Sequence, residues 1–210
     1  MLMQWLKLCG GNMNKKVLLI NVPSTSGARD LGAAVASMPP LGQMYISSYL
    51  KKNEYDVKIL DLVVERMTDD GFLDYVKRYD PLIIGISSFY ESWSAMKSLC
   101  KVIKKIFPEI YMVIGGNGAT FSYEEILNTT KADYVTLGEG EIPFLKLCKA
   151  LNKNKKDIRH IAGIAFKEGK QIISNPPLRI LELDMLPFPD RNSINIKKYT
   201  YPFTICTTRG

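Results

Sequence analysis

The chain alternates short, strongly apolar runs with longer segments of helical periodicity, and this alternation limits the folds that it can adopt. The apolar runs are four to six residues long and rich in Ile, Val and Leu, which is typical of parallel strands buried on both faces. They lie at residues 17–22, 57–60, 82–87, 110–115 and 133–137. A repeated order of strand and helix predicts right-handed crossovers and a doubly wound α/β domain with a five-stranded parallel sheet.

The segments between these runs carry apolar residues three and four positions apart, which is the spacing of one helix face. The sets are Leu41, Tyr45 and Tyr49; Phe72, Val76 and Tyr79; Met96, Cys100, Ile103 and Phe107; and Ile142, Leu145 and Cys148. Pro108 is expected to end the helix before the fourth strand, and Ser122 with Glu125 has the pattern of a capping box that opens the next helix. Pro143 fits the first turn of the last helix. The fold class is therefore α/β, Rossmann-like or flavodoxin-like.

The pattern changes after residue 151. Residues 163–166 and 171–173, joined by Glu168 and Gly169, predict a β-hairpin. Two proline-rich stretches follow, at 175–177 and 186–190, and they are typical of an extended linker. Residues 203–206 then predict a new strand.

Four regions follow from these patterns. Residues 1–12 lack the basic start and the cleavage site of a signal peptide. Met13, shortly before the first strand, has the pattern of a natural start, so we expect residues 1–12 to be an N-terminal extension that is disordered. The other regions are the α/β domain at 13–151, a hairpin and proline-rich connector at 152–202, and the first strand of a further domain at 203–210.

Charge and hydropathy exclude several classes of function. The net charge is +7, but most of the cations are lysines scattered along the chain, and the densest basic stretch, 149–159, lies in a polar connector. This distribution indicates solvation and no nucleic-acid partner. No apolar run reaches the roughly 18–20 residues that cross a bilayer, so we expect no membrane partner.

The cysteines and the histidine limit the chemistry further. Four cysteines lie far apart without a C-x-x-C pair, which predicts a reducing, cytoplasmic environment and no metal knuckle. His160 is the one histidine, so motifs with two histidine ligands are impossible. We interpret His160 as a surface residue and Cys206 as a buried strand residue.

In a parallel sheet of this class, ligands bind beyond the carboxyl ends of the strands. The residues that follow the predicted strands are rich in glycine and small hydroxyl side chains, and they are 21–27, 61, 87–90, 115–120 and 138–141. Any single turn favours Gly and Ser for steric reasons, whereas three such turns on successive strands favour a ligand that backbone amides approach closely. A broad cofactor with amide and hydroxyl edges would suit them.

Several cofactors can be tested on these turns. The first turn lacks G-x-G-x-x-G, which argues against NAD or FAD, and the chain contains no P-loop. Asn21 and Ser87 stand where phosphoryl-receiver chemistry would need aspartates. The hydroxyl-rich residues 24–27 are similar to a flavodoxin phosphate loop, so a flavodoxin-like, FMN-binding electron carrier stays open.

An ordered succession of segments resembles the N-terminal half of cobalamin-binding radical SAM proteins. The segments are 38–50, 57–61, 85–88, 115–120 and 133–141, followed by a connector at 163–166 and 186–190 and by 207–210, which resembles the stretch before the family's C-x-x-x-C-x-x-C loop. The resemblance covers about residues 15–210.

The resemblance implies cobalamin at the carboxyl edge of the sheet. Carried over by position, the cofactor-binding residues would be Pro23, Ser24, Thr25, Ser87, Ser88, Gly115, Gly116, Asn117, Gly138, Glu139, Gly140 and Glu141. The carboxylates of Glu139 and Glu141 would accept hydrogen bonds from propionamide groups or complement the positive end of the following helix. The motif D-x-H-x-x-G is absent after the first strand, which implies cobalamin without histidine ligation, with the lower face of cobalt near Thr25 or Arg29.

The resemblance also implies a partner within the same protein. In the family, a TIM-type barrel carrying a 4Fe-4S cluster and S-adenosylmethionine follows, and it performs methylations or rearrangements. The cluster cysteines are missing from this sequence, so we expect the chain alone to be inactive in radical chemistry. A degenerate domain that binds no cofactor and acts through protein contacts is the remaining alternative.

Overall fold

The computed structural model describes residues 13–23, 38–153, 155–180 and 182–206. Within them, seven strands form one sheet: β1 (Lys16–Asn21), β2 (Asp56–Asp61), β3 (Ile83–Ser87), β4 (Tyr111–Gly115), β5 (Tyr134–Thr136), β6 (Ile164–Glu168) and β7 (Gln171–Ser174). The described residues also form five α-helices: α1 (Leu41–Lys52), α2 (Asp69–Tyr79), α3 (Trp93–Ile106), α4 (Asn117–Thr129) and α5 (Glu141–Asn152).

The sheet has the order β2-β1-β3-β4-β5-β6-β7. Strands β1 to β5 pair in parallel, which confirms the doubly wound class and the five predicted strands. The hairpin β6–β7 does not stand apart from this sheet, because β6 pairs antiparallel with β5. Ile164 and Ala165 of β6 are fully buried, so the hairpin extends the core and covers the edge of β5.

The helices divide between the two faces of the sheet. Helices α1 and α5 cover one face with side chains such as Met44 and Phe144, whereas α2, α3 and α4 cover the other with Val76, Met96 and Ile126. The strands present apolar side chains to both layers, as the unbroken apolar runs in the sequence require. Burying each large aliphatic side chain contributes about 1.5–3 kcal/mol.

The observed helix boundaries test the predicted signals. Helix α3 ends two residues before Pro108, and Pro143 lies in the first turn of α5, as predicted. Helix α4 begins at Asn117, directly after Gly116, and this first part was not predicted. At Ser122 the backbone departs from helical geometry (φ −123°, ψ 25°), so a second helical segment begins at the position of the predicted capping box.

After β7 the chain returns across the sheet and then crosses α1. Residues 190–199, which we call the strap, contain two short 3-10 turns, Arg191–Ser193 and Ile196–Lys198. The Nζ of Lys51 in α1 lies 2.7 Å from Oδ2 of Asp190, and the backbone N–H of Asp190 donates to the carbonyl of Met44. At its far end, the strap is held by an ion pair between Lys198 and Glu65.

Residues 202–206 take no regular secondary structure, so the strand predicted at 203–206 is not formed within the described residues. Instead of pairing with a sheet edge, this segment lies against Arg191, whose guanidinium donates to the carbonyls of Pro202 and Thr204. Cys206 is exposed, which corrects the prediction of a buried side chain. The assignment of residues 203–210 to a further domain stays a prediction. None of the helices in the described ranges has the length and apolar character needed to span a membrane.

The contact between the strap and α1 generates a pH-dependent prediction. Burial raises the pKa of Asp190, but hydrogen bonds from Lys51, Ser193 and Ser47 outweigh it, so the pKa lies below its ordinary value. A carboxyl group with a lowered pKa stabilises the fold above its unfolded pKa, and this contribution is lost as the pH falls through the folded value. Asp190→Asn should therefore lower the free energy of unfolding by about 0.5–1 kcal/mol at pH 7, a size limited by solvent screening.

Urea unfolding at pH 7 and at about pH 2 measures this difference, which should shrink at the lower pH because the contribution of the ionised carboxyl is lost as the pH falls through its lowered pKa. Asp184→Asn, at an exposed aspartate of the same region, is the matched control and should change neither value. An Asp190→Asn effect of equal size at both pH values would contradict the role assigned to the charge.

Candidate functional site

A cavity with a volume of about 1170 Å³ lies at the carboxyl edge of the sheet. Its wall combines the ends of β1, β3, β4 and β5 with the first turns of α1, α4 and α5. Parallel strands with helices on both faces leave a crevice at this edge where the strand order reverses, here between β1 and β3. The cavity therefore lies where this class of fold binds its ligands.

The inner part of the cavity is apolar. It runs along the face of the sheet beneath α1 and α5 and is lined by Leu19, Ile46, Gly85, Val113 and Phe144. We call it the inner arm. An aromatic or aliphatic group could enter it without desolvating any charge.

The turns after β3 and β4 are bound to each other through their backbones. The N–H of Ser88 donates to the carbonyl of Gly115 over 2.7 Å, and the N–H of Gly118 donates to the carbonyl of Ser88 over 3.2 Å. The turn after β5 joins them through Thr120, whose hydroxyl donates to the carbonyl of Gly116 and accepts from the N–H of Gly138. The three predicted Gly/Ser turns thus form one connected rim.

Two glycines of this rim are required by geometry. A Cβ added to Gly115 would lie 2.3 Å from Oγ1 of Thr136, which is well inside van der Waals contact. Gly116 has φ of +96°, a backbone conformation that L side chains rarely adopt. The rim can turn from β4 directly into α4 because of this conformation.

The structure brings most of the predicted site residues together. Those that line the cavity are Ser87, Gly115, Gly116, Asn117, Gly138, Glu139, Gly140 and Glu141. Ser88 is fully buried behind the rim, and its Oγ has no hydrogen-bond partner among the described residues. Pro23 is exposed and is not part of the cavity wall. Ser24, Thr25 and Arg29 lie outside the described residues.

The two glutamates occupy different environments in the wall. Glu141 is the first residue of α5 and is buried, whereas Glu139 precedes the helix and is half-buried. Both lie near the positive end of α5, which favours carboxylates by about 0.3–1 kcal/mol each. The structure is thus compatible with both roles expected for them.

Sequence reasoning missed several residues of the wall. Asn21 closes β1, and Gln43 of α1 is buried with its Nε2 donating to the carbonyl of Ile20 over 2.8 Å. Phe89 and Phe121 line the mouth and are 50% and 87% exposed. Arg179 comes from the stretch that follows the hairpin, and it is the one Lys or Arg that lines the cavity among the described residues. Of these residues, Asn21 and Phe89 had a signal, their place in the turns that follow predicted strands.

The described ionisable groups outside the cavity do not form a metal-binding cluster. His160 is exposed in the 3-10 segment that follows the far end of α5, as expected. Cys100 and Cys148 are buried, and burial raises the pKa of the Cys100 thiol to about 12. No group of three or more His, Cys, Asp or Glu side chains in the described ranges could hold a metal ion.

Residues 30–148 match the family model of the B12 binding domain. The chain belongs to the B12-binding domain family. An uncharacterised methyltransferase of Pyrococcus horikoshii is 30% identical over 201 residues, which are 93% of this chain and 43% of the relative. The cytidylyl-2-hydroxyethylphosphonate methyltransferase of Streptomyces wedmorensis is 31% identical over 225 residues, covering 88% of this chain and 41% of the relative. This B12-binding chain thus spans about two fifths of the length of both relatives.

A solved structure has the same fold. The cobalamin-dependent S-adenosylmethionine radical enzyme OxsB, with aqua-cobalamin bound, superimposes with a TM-score of 0.70 at 20% identity and covers 83% of this chain and 24% of its own. The Rossmann-like class is thereby confirmed. The family favours cobalamin over FMN, and residues 24–27, on which the flavodoxin-like alternative rested, lie outside the described residues.

The close approach at Gly115 generates a stability prediction. Gly115→Ala should lower the free energy of unfolding by about 1–3 kcal/mol, because the new methyl group overlaps the hydroxyl of Thr136. Removing that hydroxyl in the double variant Gly115→Ala/Thr136→Ala should recover part of the loss. Urea unfolding of both variants and of Thr136→Ala measures the coupling. Additive losses would show that the overlap is not the cause.

Proposed function

We propose that this chain binds cobalamin in the carboxyl-edge cavity and serves as the cobalamin module of a radical SAM methyltransferase-like enzyme. The observation that carries the proposal is the cavity itself, in a chain of the B12-binding family. Its volume of about 1170 Å³ exceeds the roughly 300–1,000 Å³ typical of pockets for drug-sized ligands, and it combines a polar rim with an apolar inner arm.

The two parts of the cavity fit the two parts of cobalamin. The corrin ring carries amide side chains, which the hydroxyls, amides and carboxylates of the rim can bind, above all Ser87, Asn117, Thr120 and Glu139. The apolar inner arm suits the aromatic base of the nucleotide tail. When bound, cobalamin supplies a cobalt ion that can carry a methyl group. The residues of this chain bind it, orient it and shield its tail from water.

We further propose that cobalamin is held without a histidine ligand. His160 is the one histidine of the sequence, and it lies on the surface beyond the far end of α5. No other imidazole exists in the chain to approach cobalt. The assignment of Thr25 or Arg29 to the lower face of cobalt remains part of this proposal.

The charges in the cavity wall indicate which residue contacts the nucleotide tail. The carboxylates of Glu139 and Glu141 disfavour the phosphodiester of the tail in their part of the wall. Arg179, on the linker after β7, supplies a cation to the same cavity. We therefore assign the phosphodiester to Arg179.

The chemistry of the whole enzyme is assigned to the remainder of a longer protein. The relatives are more than twice as long as the matched region, and we place the barrel with its 4Fe-4S cluster and S-adenosylmethionine after the strap. Exposed apolar side chains at the mouth of the cavity, including Phe89, Phe121 and Ile205, suit a surface that such a barrel would cover. Without it, the chain is expected to hold the cofactor but not to transfer a methyl group.

Filling the cavity tests the proposal. Gly42 lies in the first turn of α1 and lines the cavity, and a Cβ added there meets no atom within 4 Å. The chain is mixed with hydroxocobalamin, desalted and examined for corrin absorbance. The wild type should retain cobalamin, whereas Gly42→Trp should bind at least about tenfold more weakly while its circular dichroism spectrum is unchanged.

The matched control is Ser98→Trp, which places the same side chain on the exposed surface of α3, on the other face of the sheet. It should bind cobalamin like the wild type. No retention by the wild type at tens of micromolar would overturn the cobalamin assignment, and equal retention by Gly42→Trp would move the site elsewhere.

Arg179 provides a second test, with two ligands. Arg179→Gln should weaken cobalamin binding by roughly threefold to tenfold, and more at low salt, because an exposed cation is screened by solvent ions. Cobinamide, which lacks the whole nucleotide tail including its phosphodiester, should be affected less. Titration of both corrinoids by absorbance measures the two dissociation constants, with Lys170→Gln as a control at an exposed cation of the hairpin turn. An equal loss for both ligands would contradict the phosphodiester contact.

A further inference from the structure

Three polar residues stand side by side at the carboxyl ends of adjacent strands. Asn21 ends β1, and its register partners are Asp61 at the end of β2 and Ser87 at the end of β3. Asn21 and Ser87 line the large cavity, whereas Asp61 lines a second, smaller cavity of about 320 Å³ beneath the strap. Asn21 thus separates a buried carboxylate from the proposed cofactor site.

Asp61 is 3% exposed and receives three hydrogen bonds. Its Oδ1 accepts from Nδ2 of Asn21 over 3.0 Å and from the backbone N–H of Val63 over 2.9 Å. Its Oδ2 accepts from the hydroxyl of Tyr199 over 2.8 Å. All three partners are donors, which matches an ionised carboxylate that can only accept.

The ionisation of the two partners is consistent with this arrangement. Burial raises the pKa of Asp61, and the hydrogen bonds from Tyr199, Val63 and Asn21 oppose that rise. Burial and the nearby Asp61 carboxylate raise the pKa of Tyr199 far above its ordinary value, so its hydroxyl keeps the proton that it donates. Asp61 therefore holds both neighbours in one orientation.

This network fixes the orientation of the Asn21 side chain. An amide that directs Nδ2 at a carboxylate turns its Oδ1 away from it, because the two atoms lie on opposite sides of the amide carbon. A reversed amide would set two acceptor oxygens against each other. Asn21 therefore presents an oriented acceptor at the point where the strand order reverses.

We propose that Asn21 is a cobalamin-binding residue whose Oδ1 accepts a hydrogen bond from a carboxamide N–H at the periphery of the corrin ring, with Asp61 as its positioning residue. The inference rests on the proposed function and adds a contact that the sequence patterns do not assign. The strap enters the same network through Tyr199, so the site is supported from a part of the chain more than a hundred residues away.

Two corrinoids test the contact. Asn21→Leu keeps the size of the side chain and removes the acceptor. This variant should weaken the binding of cobalamin and of cobinamide by the same factor of roughly three to ten, since one neutral hydrogen bond is lost. Both ligands carry the corrin amides. A loss of affinity for cobalamin alone would overturn the assignment to the corrin ring, because cobalamin differs from cobinamide in having the nucleotide tail.

A double-variant cycle tests the positioning role. Asp61→Ala should weaken binding of both corrinoids about as much as Asn21→Leu does, and the double variant should bind no more weakly than Asn21→Leu alone. A purely structural role for Asp61 would instead make the two losses multiply.

Tyr79→Phe is the matched control for loss of stability. The buried hydroxyl of Tyr79 donates to the carbonyls of Val17 and Asp56 at the opposite ends of β1 and β2. This variant should lower the free energy of unfolding while leaving both dissociation constants unchanged. If the wild type binds both corrinoids and Asn21→Leu binds them equally well, the inference about Asn21 fails and the proposed function stands. If the wild type binds neither corrinoid, the proposed function fails with it.

Discussion

The register of the parallel strands is the constraint on which the rest of the site depends. Asn21 pairs with Asp61 on one side and with Ser87 on the other, and Ser87 pairs with Gly115. These residues reach one face of the sheet together because side chains alternate along each strand. A slip that brought the preceding residue of any of these strands into the row would replace a polar or small residue by an aliphatic one.

The same alternation explains how far the site could be predicted from the sequence. The apolar runs located all five parallel strands, so the residues just beyond them could be named as candidates. The sequence did not distinguish Ser87, which lines the cavity, from Ser88, which is buried behind the rim. That distinction depends on the pleat and on the hydrogen bond from Ser88 to Gly115, which joins two separate turns.

Other differences arise from contacts between distant parts of the chain. The hairpin was predicted, but its pairing with β5 was not, because a periodic pattern does not specify the edge on which a strand adds. Arg179 and the strap reach the site only because the chain returns across the sheet after β7. The first part of α4 was not predicted for a local reason, since the conformation of Gly116 lets the chain enter a helix directly after β4, before the segment that follows Ser122.

The strap has a thermodynamic consequence for the cavity. One oxygen of Asp61 holds Asn21 in the cavity wall, and the other holds Tyr199 in the strap. A ligand that orders Asn21 therefore also favours the docked strap, and whatever fixes the strap favours the ligand by the same free energy, because linkage is reciprocal. The buried carboxylate thus makes cofactor affinity and the placement of the following chain two aspects of one equilibrium.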